Sequence, residues 1–396
     1  MSNLDNYKSD TLMLIVGSNP LPNYVAAMLL AKDNARLVLI HTDKTKNYAE
    51  RIFECLQHEK PNLQKALLVP INAANGSQIF NSLDKYLSSY IGNDFRGTLG
   101  LNFTGGTKAM AVYIYDWVKN NVRDNITTPI FSYLDSRTYS MFINEENEFI
   151  PPIRVLNSVD VTIPQLIQLQ RLKITQLIKE PQWADEAGQI IKLITDNPKE
   201  WESCKKGIKS ENQKNKYDKY INEYECQSNL DDGKIVSSIS DIYDVTKKDN
   251  QWINGGFLED YVLNCVRQIA DECNLTDYGK NIVVKSDEPG ESKNFEFDVA
   301  FTRGYQLFGI SCTAANEIKR CKPKLFEAYI RARQMGGDEA RVALVCFYDR
   351  TNEIRRLQKQ LEDEWDVEGK IKVFGKDDIP KLKNKLRDWI NYVGRD

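Results

Sequence analysis

The sequence predicts an α/β protein, two α/β units joined by a helical connector, and three observations carry that prediction. Strand-like and helix-like segments alternate from Thr11 to about residue 155, which is the pattern of a parallel sheet with crossover helices. Within that alternation a paired-glycine turn, Gly105-Gly106, joins a strand to a helix. A second glycine pair, Gly255-Gly256, opens a periodic helix that is followed by strands bearing spaced carboxylates. The expected units are 1–155, 156–250 and 251–396.

In the first unit the apolar run Thr11 to Val16 reads as a buried strand that stops at Gly17-Ser18-Asn19-Pro20. A helix over Tyr24 to Ala31 follows, then strand Leu37 to His41, helix Tyr48 to His58, strand Ala66 to Ile71, helix Ile79 to Ile91 and strand Thr98 to Phe103. After Thr104-Gly105-Gly106-Thr107-Lys108, Met110, Tyr113, Ile114, Trp117 and Val118 recur at helical spacing. Pro129 to Leu134 and Thr138 to Ile143 read as a hairpin, and Phe149 to Pro151 adds further strand-like residues.

Open parallel sheets bind ligands beyond the carboxyl ends of their strands, so Gly17, Ser18 and Asn19 form one candidate loop and Thr104, Gly105, Gly106, Thr107 and Lys108 the other. Paired glycines turn backbone N–H groups outward, the helix start adds partial positive charge, and Thr107 and Lys108 add a hydroxyl and a cation. Those are the requirements of a phosphate. On spacing alone Gly105-Gly106 reads equally well as a tight turn, and neither a Walker A loop nor a dinucleotide fingerprint is present.

The connector is expected to be helical. Leu166, Leu169, Leu172, Ile174 and Leu177 recur at helical spacing between Val161 and Ile178, and Ala187 to Ile194 repeats the habit. Six lysines between Cys204 and Cys226 (Lys205, Lys206, Lys209, Lys214, Lys216 and Lys219) read as a solvated charge run or as a contact with nucleic-acid phosphates.

In the last unit, a helix over Phe257 to Ala270 carries Glu259 in its first turn, Ile282 to Lys285 reads as strand, and Asn294 to Phe301 alternates so that Glu296 and Asp298 share a face. Strand Tyr305 to Thr313, a helix through Leu325 to Met335 and strand Val342 to Phe347 complete the pattern. Paired carboxylates with a third from a nearby helix suit Mg2+ or Mn2+, though an ordinary half-exposed strand reads the same way.

Composition bounds the function. Hydrophobic residues make up 41% and charged residues 28% of 396 positions, as in a soluble globular protein. With 53 Lys plus Arg against 56 Asp plus Glu the net charge is -3, which argues against a histone-like binder while leaving room for a local anion site. The N-terminal apolar run Leu12 to Val16 is far short of the roughly 18 residues of a membrane span, so neither a span nor a signal peptide is expected. Eight cysteines without a Cys-x-x-Cys point to a reduced, cytoplasmic setting, and two histidines, His41 and His58, leave little for zinc or Ser-His-Asp chemistry.

Leu101-Asn102-Phe103-Thr104-Gly105-Gly106-Thr107-Lys108-Ala109-Met110, with Val16-Gly17-Ser18-Asn19 after the first strand, resembles the CARF domain, a Rossmann-like sensor of cyclic oligoadenylates in type III CRISPR immunity. The resemblance implies a homodimer holding one cyclic RNA ring, such as cyclic tetra-adenylate, across its twofold axis. The helix from Gly255 to Val262, the strand Phe295 to Val299 and the hairpin Arg303 to Thr313 are similar to the PD-(D/E)xK-like, restriction-endonuclease-like domain found fused to such sensors. That similarity implies a metal-dependent nuclease acting on DNA or RNA, with Glu259, Glu296 and Asp298 as metal ligands.

The chain departs from that pattern at one place: Ser311-Cys312-Thr313 stands where the family carries Glu-x-Lys. A lysine of the following helix, Lys319 or Lys324, is the expected substitute, with Lys319 grouped with the catalytic carboxylates, and Glu317 is a further acidic neighbour. The alternative is a non-catalytic sensor whose degenerate nuclease domain binds nucleic acid or a protein. A HEPN-type ribonuclease is excluded because it needs a histidine in its second domain and both histidines precede residue 60. Cleavage of the ring by the CARF domain itself, assisted by Lys108 and Thr107, is a further reading.

Overall fold

The computed structural model describes residues 4–88, 90, 97–121, 128–144, 150–199, 201, 252–286 and 294–392. The lysine run from Lys205 to Lys219 lies outside the described residues.

The N-terminal sheet contains β1 (Ser9–Ile15), β2 (Ala31–His41), β3 (Gln64–Pro70), β4 (Leu99–Asn102), β5 (Ile130–Asp135), β6 (Ser140–Asn144) and β7 (Ile153–Arg154). Their order is β3-β2-β1-β4-β5-β6-β7, parallel as far as β5 and antiparallel beyond it. Strand order reverses at β1, which lies between β2 and β4, so the loops after β1 and β4 flank the switch point where such sheets open a crevice.

Alternation along β1 buries both faces. Leu12 and Leu14 pack with α1 (Leu21–Leu30) and α2 (Lys46–Glu59), while Met13 and Ile15 pack with α3 (Gly76–Leu87) and α4 (Lys108–Asn121). Asn75 caps α3 by accepting the Gln78 N–H at 3.0 Å.

Beyond β7, α5 (Ile163–Leu169) is closed at its start by a Thr162–Gln165 capping box. The helical spacing expected through Ile178 ends there: residues Leu172–Ile178 form a strand, β8, paired antiparallel with β9 (Asp277–Ser286). Arg171 adopts a left-handed φ of 61°, which ends the helix, and the β-branched Ile174 and Thr175 suit the strand that follows.

The second sheet runs β13-β12-β11-β10-β9-β8, with β10 (Asn294–Arg303), β11 (Gln306–Thr313), β12 (Arg341–Cys346) and β13 (Ile371–Phe374). From β8 to β11 the pairing is antiparallel, and from β11 to β13 it is parallel. On one face lie α6 (Ala184–Asp196), α7 (Phe257–Gln268) and α10 (Leu382–Tyr392), where Phe257, Leu263 and Trp389 meet Phe301, Phe308 and Val345. On the other lie α8 (Ile318–Gly336) and α9 (Thr351–Trp365). The core under α8 is continuous with the core under α1, α2 and α5, so the two sheets share buried apolar contacts.

Candidate functional site: a sensor crevice and a carboxylate pair

At the switch point the two candidate loops are in backbone contact. A Cβ on Gly17 would stand 2.9 Å from the Gly106 nitrogen, and one on Gly105 would stand 2.2 Å from the Ile15 carbonyl oxygen. Gly106 has φ +78°, a conformation that side chains disfavour. The three glycines therefore form a closely packed floor, in which a Cβ at Gly17 or Gly105 would meet backbone.

Several side chains hold that floor in place. Thr104 Oγ1 accepts the Leu134 N–H at 2.8 Å, and Thr107 Oγ1 donates to the Ala73 carbonyl at 2.6 Å while accepting the Met110 N–H at 3.1 Å. Thr107 thus caps α4 with its hydroxyl. Buried Asn23 donates from Nδ2 to the Ile15 carbonyl at 3.0 Å, and its Oδ1 has no hydrogen-bond partner among the described residues. Ser18 and Lys108 are exposed, and Lys108 has no ion-pair partner among the described residues. Asn19 looks toward the other sheet: its Oδ1 accepts from Gln170 Nε2 at 3.3 Å, and the same Nε2 donates to the Met335 carbonyl at 3.0 Å. A cleft of about 420 Å³ opens beside this bridge, lined by Ser18, Asn19, Arg171, Phe295, Arg331 and Arg333 among others.

In the second sheet Glu259 projects from the first turn of α7 toward Asp298 on β10. Its carboxyl is pushed up to about 7, first by burial and then by the negative charge of Asp298. Glu296 is exposed at the rim, and burial together with Asp298 raises its carboxyl above the ordinary range while Lys324 opposes the rise. Asp298 Oδ2 accepts from Ser311 Oγ at 3.0 Å and from the Cys312 N–H at 2.7 Å, which fixes the rotamer of the carboxylate and occupies one of its two oxygens. The buried Cys312 thiol is raised well above its usual value by burial and by the charges of Asp298 and Glu259.

Two groups that the sequence pattern did not reveal shape this field. Lys280 on β9 is buried and pairs with the fully buried Asp260 at 2.6 Å. Asp260 also accepts the Gln182 N–H at 3.0 Å, the Trp183 N–H at 3.3 Å and Trp252 Nε1 at 2.7 Å. Removing one partner of such a pair typically costs about 3–5 kcal/mol. Asp260 is therefore a structural anchor for α7, and Lys280 also eases the ionisation of Glu259. The available sequence signal was a lone cation between the glycine and the apolar residues of the strand Tyr278-Gly279-Lys280-Asn281-Ile282. Of the α8 lysines, Lys324 is the one whose charge acts on Glu296 and Cys312.

A divalent cation fits the Glu259–Asp298 pair, since two acidic groups held in mutual repulsion gain from a cation between them. Among the described residues no three His, Cys, Asp or Glu side chains gather closely enough to hold a metal by themselves. Glu296 stands at the exposed rim of the pair, and two carboxylates plus water is an arrangement magnesium accepts.

Residues 11–157 match the family described as the Card1 CARF domain, and residues 246–393 match the Card1-like endonuclease domain. The chain belongs to the CARF–endonuclease family. Its CARF match takes in both glycine loops, and its endonuclease match takes in Glu259, Glu296, Asp298 and α8. Among solved structures the chain is similar to protein VC1899 from Vibrio cholerae, at TM-score 0.71 and 16% identity over 98% of this chain and 100% of that one. It is also similar to Can2 from Sulfobacillus thermosulfidooxidans in complex with cyclic tetra-adenylate, at TM-score 0.64 and 18% identity over 96% and 97% of the two chains. No curated protein matches it by sequence. Both structural likenesses show a shared fold over nearly the whole chain.

Proposed function

We propose that the protein is a metal-dependent nuclease switched on by a cyclic oligoadenylate, specifically cyclic tetra-adenylate, and that it cuts DNA or RNA in type III CRISPR defence. The reading is carried by the presence, on one chain, of a glycine-floored crevice in a CARF domain and a Glu259–Asp298 pair in an endonuclease domain. The likeness to Can2, whose structure holds cyclic tetra-adenylate, supports that choice of ring.

In this reading Gly17, Ser18 and Asn19 face the ring from one loop and Thr104, Gly105, Gly106 and Lys108 from the other, with backbone N–H groups and the Lys108 ammonium taking phosphates. Thr107 supports the loop as the cap of α4. A fourfold ring suits a twofold pair of crevices, so the working unit is a homodimer. Val112 on α4 is 64% exposed, and Tyr133 and Phe142 on the edge hairpin are also exposed, which supports a second copy covering this side. No described helix is long and apolar enough to cross a membrane, and the six cysteines among the described residues are buried and free, which suits the reducing cytoplasm.

Mg2+ or Mn2+, held by Glu259 and Asp298 with Glu296 at the rim, would supply water activation and charge stabilisation at the phosphate. Ser311 and the Cys312 N–H keep Asp298 in one orientation, and α8 supplies the cation that Glu-x-Lys would otherwise provide. Lys324, whose charge reaches Glu296, fills that role better than Lys319, more than a turn earlier.

The non-catalytic sensor is the second reading, favoured by Ser311 and Thr313 in place of the family's carboxylate and lysine. Incubation with supercoiled plasmid and single-stranded RNA, manganese and cyclic tetra-adenylate distinguishes the two. Ring-dependent cleavage is expected. Tight ring binding without cleavage of either substrate overturns the nuclease reading, and a 45.6 kDa particle by light scattering, with and without ring, overturns the dimer.

A further inference from the structure

Helix α8 is out of keeping with the rest of the chain. Between Ile318 and Gly336 it carries six cations and one carboxylate, Glu327, in a protein whose net charge is -3. Four of the cations, Lys319, Arg320, Lys322 and Lys324, lie in its first two turns, where the helix dipole is already positive and disfavours them. Lys319, Lys322 and Lys324 have no ion-pair partner among the described residues, whereas Arg333 pairs with Asp338 at 2.9 Å. Arg320 reaches Glu317 at 4.0 Å, but a concentration of charge that opposes the helix's own field, with three lysines unpaired among the described residues, points to a polyanion outside it.

The outer face is also apolar at two places. Phe326 is 47% exposed and Ile330 37%, although the chain has ample core in which to bury such residues. Lys319, Lys322, Phe326, Ile330 and Arg333 succeed one another at three- and four-residue steps, so they form one exposed row. Arg320, Lys324, Glu327 and Arg331 form the adjoining row, and it is from this flank that Lys324 acts on Glu296. The Phe326 ring is braced from behind by Trp365 at 5.4 Å, and Trp365 is itself stacked on Tyr329 at 4.6 Å. A braced, half-exposed aromatic ring between cations is a stacking platform for a base, and only an unpaired base has a free face to offer.

We propose that the outer face of α8 is the ridge on which an unpaired nucleic-acid strand lies as it enters the carboxylate site, its phosphates on Lys319, Lys322 and Lys324 and a base on the Phe326 ring. The destination of the strand rests on the nuclease reading; its path rests on α8 itself.

The test uses the full chain with cyclic tetra-adenylate, in EDTA so that nothing is cut, and follows the anisotropy of labelled 20-nucleotide oligo-dT, oligo-U and a 20-base-pair duplex. Phe326→Ala should weaken single-strand binding about tenfold and Phe326→Trp should restore it, with little change for the duplex. Lys322→Glu should weaken binding and flatten its salt dependence by about one phosphate contact. Tyr392→Ala, an exposed aromatic at the end of α10, should change nothing. Unchanged single-strand affinity in Phe326→Ala and Lys322→Glu overturns the ridge, as does an equal loss for duplex, or polyglutamate competing as well as oligo-dT in the wild type and in Phe326→Ala. Cleavage assayed separately keeps the two readings apart: wild-type cleavage with unaltered variant binding removes only the ridge, and altered variant binding without wild-type cleavage removes only the nuclease.

Discussion

Asn19, at the mouth of the sensor crevice, lies directly against Gly337, the residue that ends α8: a Cβ on Gly337 would come within 2.0 Å of the Asn19 side-chain nitrogen. Gly337 has φ +69°, so glycine is favoured there by backbone conformation as well as by space. Gln170 bridges the same junction, donating to Asn19 and to the Met335 carbonyl. A change at the crevice thus meets the end of a helix whose other end carries Lys324.

Gln170→Ala should uncouple ring binding from cleavage. It removes the bridge to Asn19 while leaving every residue of both glycine loops in place, so calorimetry is expected to return ring affinity within about threefold of wild type, while ring-stimulated cleavage falls by about tenfold, the equivalent of roughly 1.4 kcal/mol. Ring binding and cleavage lost together would assign Gln170 to the crevice instead.

Gly105→Ala should damage the sensor more than any polar substitution in its loops. The added carbon would meet the Ile15 carbonyl at 2.2 Å, a backbone atom that cannot move aside without shifting β1. A loss of about 1–3 kcal/mol is expected by urea denaturation, with ring binding abolished. An unchanged midpoint would mean that the loops open freely.

Asp298→Asn should abolish metal-dependent cleavage and leave the fold intact. Its remaining oxygen can still accept from Ser311 and the Cys312 N–H, so the thermal midpoint should hold, while the charge facing Glu259 is lost. Cleavage that survives in this variant would place the reaction elsewhere.

Glu339 sets a pH dependence of stability. Burial pushes its carboxyl up to about 7 from the 4.5 of an exposed glutamate. Between those values the native chain keeps a proton that the unfolded chain has released, so stability falls as pH rises through this window and levels off above about 7. Urea melts should show Glu339→Gln and wild type with equal stability near pH 4, and the variant ahead by up to about 3 kcal/mol at pH 8. A gap that does not vary with pH would contradict this.

Much of the architecture was legible in the sequence because it is locally encoded. Apolar alternation along Leu12 to Ile15, helical spacing from Met110 to Val118 and the turn chemistry of Gly105-Gly106 are properties of stretches of about ten residues, and they placed both sensor loops at strand ends. Glu259 and Asp298 were legible for the same reason, as a helix start and one face of a strand.

The tertiary structure decided what depends on residues far apart in the chain. Leu172 to Ile178 has helical spacing, yet it forms a strand because the edge of β9, about a hundred residues later, offers it a ladder of hydrogen bonds. The Ala73 carbonyl that takes the Thr107 proton and the position of Glu296 at the exposed rim are likewise set by packing. The pairing of Lys280 with Asp260, the grip of Ser311 on Asp298 and the contact of Asn19 with Gly337 have no local signature. Periodicity determines which face of an element is buried, whereas the charges and hydrogen bonds a side chain meets there are set by the partner element that packing brings against it.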